Sequence, residues 1–172
     1  TIIYVFVYGN VGEGFIYSAD EAITLTCQTT PDPLFLDTES TSITYQWLGN
    51  FELRIDMIFN GSSYYAIYNN FNVDSEENQY ELTLNTFSGN VYDEFGIHNY
   101  MKFSTPDRDN DIDDRRFCSQ VYQAGWWYMK CHYANLNGHS DSPTPFKGVT
   151  WTELTTGNYS LSSVEMKIRK KN

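Results

Sequence analysis

Residues 101–138, MKFSTPDRDNDIDDRRFCSQVYQAGWWYMKCHYANLNG, hold most of the side chains in this sequence that could do chemistry. Carboxylates, two cysteines, a histidine and a run of aromatics crowd there without a helical or strand-like period. The stretch Asp107-Arg108-Asp109-Asn110-Asp111-Ile112-Asp113-Asp114 places five carboxylates within eight residues. Such charges repel one another and would leave the segment disordered unless something cationic sits among them. Oxygen ligands at alternate positions suit a hard cation, Ca2+ before others. The EF-hand is the first pattern to test, and Asp107, Asp109 and Asp111 fit its opening. Ile112 stands where that loop needs glycine and Cys118 where it needs a bidentate glutamate, so the EF-hand is rejected.

The same stretch offers two catalytic arrangements, and neither holds up. Cys118 or Cys131 with His132 or His139 could mimic a thiol–imidazole pair, but cysteines of a secreted chain are better used in a bridge, and a bridged sulfur is no nucleophile. A zinc site from Cys131, His132 and His139 lacks fitting ligand spacing. The chain is therefore not read as an enzyme. Its three cysteines allow one bridge and leave an odd thiol.

At 172 residues the chain has the size of one domain and can bury about 70% of its unfolded surface. An aromatic content of 17%, dominated by 14 Tyr and 11 Phe, favours β-rich or irregular structure over a helical bundle. The net charge of −11 and a pI near 4.5 argue against nucleic acid as a partner, because phosphate binding needs clustered Lys and Arg. The basic cluster at 167–171 reads as a solvated tail. Residues 2–8 are too short for a signal core or a membrane span, so the sequence reads as a mature fragment with no membrane insertion. The sequons at Asn60-Gly61-Ser62 and Asn158-Tyr159-Ser160 are compatible with glycosylation of Asn60 and Asn158 in a secreted, extracellular protein.

The elements that must position these residues read mostly as strands. Residues 1–8 are β-branched and aromatic and end at Gly9-Asn10, which predicts a buried strand. Residues 14–17 and 22–27 alternate around Asp20-Glu21 and predict a hairpin. Residues 51–59, 64–68 and 80–84 predict three strands of a meander with Asn60-Gly61 as the tightest turn, and 87–100 reads as loop. Residues 139–147 carry two prolines and read as an irregular surface loop. Val164, Met166 and Ile168 alternate on a closing strand with one buried face.

With these residues in view, the sequence resembles the fibrinogen C-terminal-like domain family. That family carries an acidic DxDND loop, a cysteine, GWW, a second cysteine followed by histidine, and NLNG. They correspond here to residues 107–111, Cys118, Gly125-Trp126-Trp127, Cys131-His132 and Asn135-Leu136-Asn137-Gly138. Trp47-Leu48-Gly49-Asn50 is similar to FWLGN, His98-Asn99-Tyr100-Met101-Lys102-Phe103-Ser104-Thr105 to HNGMKFST, and Gly148-Val149-Thr150-Trp151 to GxxW. Tyr159-Ser160-Leu161 and the stretch from Glu165 to Arg169 match YSL and EMKIR. The resemblance is close from Trp47 onward and weak before it.

The resemblance implies an α+β fibrinogen C-terminal-like domain: a central twisted antiparallel sheet, few short helices and a loop-rich Ca2+-binding C-terminal region. It divides a single domain, 1–172, into an abbreviated N-terminal subdomain (1–46), the central sheet (47–100), the loop-rich calcium and ligand region (101–163) and the closing strand (164–172). It pairs Cys118 with Cys131, a bridge that would contribute about 3 kcal/mol in the chain-entropy model. Cys27 is then the odd cysteine, and a homo-oligomer through it or through upstream segments is left open. The implied Ca2+ ligands are Asp109, Asp111 and the backbone near Asp113 and Arg115, although the interval from Asp111 to Cys118 is one residue longer than usual and lacks a glycine. The implied ligand pocket is framed by Tyr122, the bond from Lys130 into Cys131, expected cis, and His132. The family's further wall falls on Pro145 and Phe146, its next aromatic on Gly157, and Phe146 is expected to take over the packing. Trp126, Trp127 and Tyr128 are read as core, and His98 as a structural hydrogen-bonding residue. The implied function is a secreted, lectin-like, innate-immune module for acetylated glycans. The alternative is a matrix or coagulation-type module for a protein ligand, in which calcium is structural.

Overall fold

The computed structural model describes residues 2–5, 51–139 and 142–171, with the backbone alone at 2–5, 169 and 170. Its main sheet has five antiparallel strands: β1 (Ile2–Val5), β2 (Phe51–Phe59), β3 (Ser62–Val73), β4 (Leu82–Gly89) and β7 (Ser163–Lys170). Their order is β1-β7-β2-β3-β4. A two-stranded ribbon joins β5 (Ala134–Asn135) to β6 (Thr150–Trp151), and the helices are short: α1 (Cys118–Tyr122) and α2 (Thr152–Thr155). The predicted hairpin at 14–27, Cys27, and Trp47-Leu48-Gly49-Asn50 lie outside the described residues.

Alternation explains the central strands. Phe51, Leu53, Ile55 and Met57 of β2 are buried, as are Val164, Met166 and Ile168 of β7. The register sets Leu53 between Ile168 and Tyr68, and Ile55 between Met166 and Ala66, so apolar side chains line one face in cross-strand rows. β2 turns into β3 through Asn60 and Gly61 at φ +49° and +76°, two positive values in succession, as a type I′ hairpin requires. The opposite face carries Arg54–Asp56, Lys167–Asp56 and Lys167–Glu165 ion pairs at 2.7, 2.8 and 2.6 Å. Burial alone would raise the Asp56 carboxyl, but the hydrogen bonds from Arg54 and Lys167 outweigh it and hold the group below its ordinary value.

The third strand differs from the sequence reading. It runs to Gly89 rather than ending near Leu84, because Phe87 sits opposite Tyr68 with ring centroids 5.5 Å apart, and Gly89 pairs with Ala66. Turn chemistry acts one residue later, where Asn90 Oδ1 accepts the Tyr65 N–H at 2.7 Å. The edge of β4 is occupied by a side chain that imitates a strand. The Asn99 amide accepts the Leu84 N–H (2.7 Å) and donates to the Leu84 carbonyl (2.9 Å), which blunts an edge open to unwanted pairing. The closing strand is likewise offset, Ser163–Lys170 rather than 164–172.

The apolar face of the sheet belongs to the same buried cluster as Phe95, Phe103, Trp126, Trp127, Tyr128, Leu136 and Trp151. Phe95 bridges the two layers, lying 5.7 Å from the Tyr68 ring and 5.1 Å from Trp126. The irregular half of the chain is thus anchored by aromatic burial rather than by strand ladders.

Ile55→Ala should lower unfolding free energy by about 2–5 kcal/mol, while Arg54→Ala on the other face should cost less than about 1 kcal/mol. Urea titrations of the two variants giving equal shifts would contradict the assignment of faces.

Candidate functional site

The acidic loop is held in a defined curl by its own carboxylates. Asp109, Asp111 and Asp113 each use Oδ1 to accept the amide two residues on, at 3.2 Å from Asp111, 2.8 Å from Asp113 and 3.0 Å from Arg115. Three successive turns of this kind are the local competitor to helix or strand that aspartate provides. Asn110 anchors the curl to the core, donating its side-chain amide to the Phe103 carbonyl (2.7 Å) and its backbone N–H to Ser104 Oγ (3.0 Å).

The carboxylates then separate into two roles. Asp113 forms an ion pair with Arg116, with Nε at 2.7 Å, and the Arg115 amide together with that guanidinium holds its carboxyl below the ordinary value. Asp111 is pushed the other way. Burial dominates, the neighbouring Asp109 adds to it, and the amides of Asp113 and Cys118 offset only part. A carboxyl raised in the folded state subtracts stability at neutral pH, a cost that a cation between Asp109 and Asp111 would remove. These residues fit Ca2+: two anionic oxygen donors, with the backbone of Asp113 and Arg115 in the same turn. The Asp113 carbonyl accepts only a long contact from the Arg116 N–H, at 3.4 Å. Asp113, Cys118 and Cys131 also cluster with ligand-type atoms within 4.8 Å of one another. Their two sulfurs are joined, so no thiolate is there to bind a metal.

Cys118 and Cys131 form the disulfide, with Cα atoms 5.2 Å apart. Asp111 ties the loop to this bridge, because its Oδ2 accepts the Cys118 N–H at 2.9 Å at the start of α1. Cys131 has φ +66°, a left-handed conformation that a non-glycine residue adopts only where its surroundings over-determine it.

Beyond the bridge lies a ring of aromatics around His132. Its imidazole is edge-on to Tyr122 at 4.5 Å, 6.0 Å from Tyr128 and 6.4 Å from Phe146. Both ring nitrogens are shielded from solvent, and neither makes a well-formed hydrogen bond among the described residues; the Phe146 backbone is near enough to interact only weakly. Burial holds the imidazole at about 4, with the Phe146 backbone offsetting only part. Phe146 has φ +63° and donates its N–H to the Gly157 carbonyl at 2.5 Å. A side chain at Gly157 would collide with the Phe146 ring. The space over Gly157 is thus filled by the Phe146 ring.

Tyr122, His132 and Phe146 therefore come together as the sequence suggests, with Cys131 fixed beside them; Lys130 is exposed and stands outside this ring cluster. Trp126, Trp127 and Tyr128 are core, at 1%, 8% and 0% exposure. His98 is wholly buried: Nδ1 donates to the Trp127 carbonyl (2.7 Å), and Nε2 faces the amides of Tyr133 and Ala134 at 3.4 Å each. Its structural role is as read from the sequence. Sequence reasoning missed Tyr128 as a wall of the His132 enclosure, and Asn135 and Thr150, which pair across β5 and β6 with buried, unpartnered polar side-chain atoms. It also missed the Asp113–Arg116 pairing, since a run of alternating charge does not say which acid meets which base.

The family model described as fibrinogen beta and gamma chains, C-terminal globular domain, matches residues 34–171. Fibrinogen C domain-containing protein 1 of Xenopus tropicalis is 38% identical over 129 residues, spanning 70% of this chain and 28% of that protein. Techylectin-5A of Tachypleus tridentatus is 38% identical over 124 residues (70% and 42%), and tenascin-R of Homo sapiens 36% over 124 residues (72% and 9%). The chain thus spans less than half the length of these relatives. Among solved structures, the fibrinogen-like globe domain of human ANGPTL2 aligns with TM-score 0.67 at 35% identity, over 72% of this chain and 60% of that one. The lamprey fibrin D-dimer complexed with the peptide Gly-His-Arg-Pro-amide aligns with TM-score 0.63 at 27% identity, over 72% and 48%.

His98 and His132 sit at about 3 and about 4 in the folded protein, each depressed mainly by burial. The unfolded chain, with ordinary imidazoles near 6.5, takes up protons first as pH falls. Their contribution is therefore complete above about pH 6.5 and is lost progressively toward about pH 4 for His132 and about pH 3 for His98. Asp56, depressed below its ordinary value, adds a loss only below about pH 4. Denaturant titrations from pH 7 to 4.5 should show this decline, and His132→Phe should reduce proton uptake on unfolding at pH 5 by about one proton. An unchanged uptake would mean that His132 is not buried as a neutral ring.

Proposed function

The chain belongs to the family of fibrinogen C-terminal globular domains, and from that premise we propose that it is an extracellular recognition module. In this reading it binds Ca2+ and takes acetylated sugars or similar surface groups in the enclosure around His132. The observation that carries it is the His132 imidazole, held neutral by burial, with neither nitrogen in a well-formed hydrogen bond among the described residues, and walled by Tyr122, Tyr128 and Phe146. A carbonyl or hydroxyl entering there would satisfy a ring nitrogen, while the aromatic walls would pack on a methyl group. Among the described residues no carboxylate belongs to this ring cluster, which favours a neutral acetyl-type group over a cationic amine. The extracellular placement is supported by the disulfide and by the relatives; none of the described helices is long and apolar enough to cross a membrane.

Among the relatives, one is named a lectin, and the lamprey fibrin D-dimer is complexed with a peptide ligand. Both kinds of ligand enter the test. The Ca2+ would be held by Asp109 and Asp111 with carbonyls of Asp113 and Arg115, and it would supply neutralising charge rather than chemistry at a substrate. The loop's link to the bridge and to α1 through Asp111 Oδ2 would pass that rigidity to Tyr122, the last residue of α1, and through Cys131 to His132.

Raising Ca2+ to about 100 times its Kd should stabilise the fold by about 2.7 kcal/mol. Asp109→Ala with Asp111→Ala should abolish that dependence, and a melting temperature indifferent to both EDTA and Ca2+ in the unmutated protein would refute the metal. Binding to immobilised acetyl groups should be competed by free N-acetylglucosamine and weakened at least tenfold by His132→Ala. Retention that the free sugar cannot reduce would point instead to a protein ligand with calcium in a structural role.

A further inference from the structure

The fold sets both sequons at one end of the molecule, and one of them beside the His132 enclosure. Asn60 is at the tip of the β2–β3 hairpin. The segment that carries Asn158 is tied to the end of β2, with Ser162 donating to the Ile58 carbonyl at 2.8 Å and the rings of Phe59 and Tyr159 6.5 Å apart. Asn158 is exposed, and among the described residues its side-chain amide makes only a 3.4 Å contact with the Thr156 carbonyl. Tyr159 is 65% exposed. The residue before Asn158 is Gly157, the platform on which the Phe146 ring lies, and Phe146 is itself edge-on to His132. Asn158 thus stands on the outer rim of the enclosure, one residue from its wall. Asn60 reaches that rim only by way of Phe59 and Tyr159.

We propose that Asn158 carries an N-linked oligosaccharide that overhangs the Phe146 side of the enclosure, admitting small terminal groups and holding off branched or surface-bound ones. The attachment forms a bond between Asn158 Nδ2 and the anomeric carbon of a lipid-diphosphate-linked oligosaccharide. The bond from that carbon to the diphosphate oxygen breaks, and one amide proton leaves with the lipid diphosphate. A bulky, solvated chain at this point covers Phe146 and Tyr159 whatever the enclosure binds. The filtering of ligands by size rests on the proposed function; the covering of the rim does not.

The test uses protein secreted from a eukaryotic host, alongside Asn158→Gln and Asn60→Gln. Peptide mass spectrometry should find Asn158 occupied, and hydroxyl-radical oxidation of Phe146 and Tyr159 should rise at least threefold in Asn158→Gln but not in Asn60→Gln. Enzymatic removal of the sugar from the unmutated protein should give the same rise, which keeps the test valid should Asn158→Gln fold poorly. An unoccupied Asn158, or oxidation that does not change when the glycan is gone, overturns the proposal. Binding to acetylated albumin should increase at least threefold without the glycan, while inhibition by free N-acetylglucosamine stays constant; an unchanged albumin affinity overturns the size filter. Absence of any binding to acetylated albumin, with rim protection present, would sink the acetyl reading and leave the covering of the rim intact.

Discussion

The irregular half of this protein depends on side chains that stand in for strand ladders. Buried backbone amides and carbonyls need partners, and a region whose strands are two residues long cannot supply them from the backbone alone. His98 does the most. Its proton must be on Nδ1, because the Trp127 carbonyl can only accept, and Nε2 is then free to face two amides of the 133–134 segment. One ring thereby joins the turn before β5, the tryptophan pair and β5 itself. Asn99, Asn110 and Asn137 act in the same way on Leu84, Phe103 and Gly125. The strong depression of the His98 pKa follows from this role, since a charged imidazole would lose an acceptor and be buried without a counter-ion.

The acidic loop obeys the same rule and adds an electrostatic one. Each alternate aspartate satisfies an amide two residues ahead, so the loop does not need a cation merely to have a shape. What its shape leaves is an imbalance. Arg116 neutralises Asp113, while Asp109 and the partly buried Asp111 repel each other. Because Asp111 also receives the Cys118 N–H, any ion that relieved that repulsion would act directly on the start of α1 and on the disulfide.

One side of the enclosure around His132 is built by two positions that act together. Position 157 is glycine at φ +74°, and the space above it is filled by the Phe146 ring, with Phe146 held in a left-handed conformation by its bond to the Gly157 carbonyl. A non-glycine residue in that region costs about 1–2 kcal/mol. Packing of the ring over the glycine and beside His132 is the evident compensation, and the two positions are therefore a single unit.

The sequence by itself determined the sheet core, the tight hairpin and the family, because these rest on local period and on motifs. Alternation at Leu53, Ile55 and Met57 and at Val164, Met166 and Ile168 can be read without knowing the partner strands, and Asn60-Gly61 needs only its own backbone preference. The pairing of Cys118 with Cys131 and the gathering of Tyr122 with His132 were legible through the motifs alone. Only the tertiary structure decided where β4 ends, since that turns on Phe87 meeting Tyr68 across the sheet. It also decided which aspartate Arg116 neutralises, that neither His132 nitrogen makes a well-formed hydrogen bond among the described residues, and that Phe146 fills the space over Gly157. Each of these is fixed by an approach between side chains or backbone groups that no periodicity or charge pattern encodes, and burial then sets the energy of each.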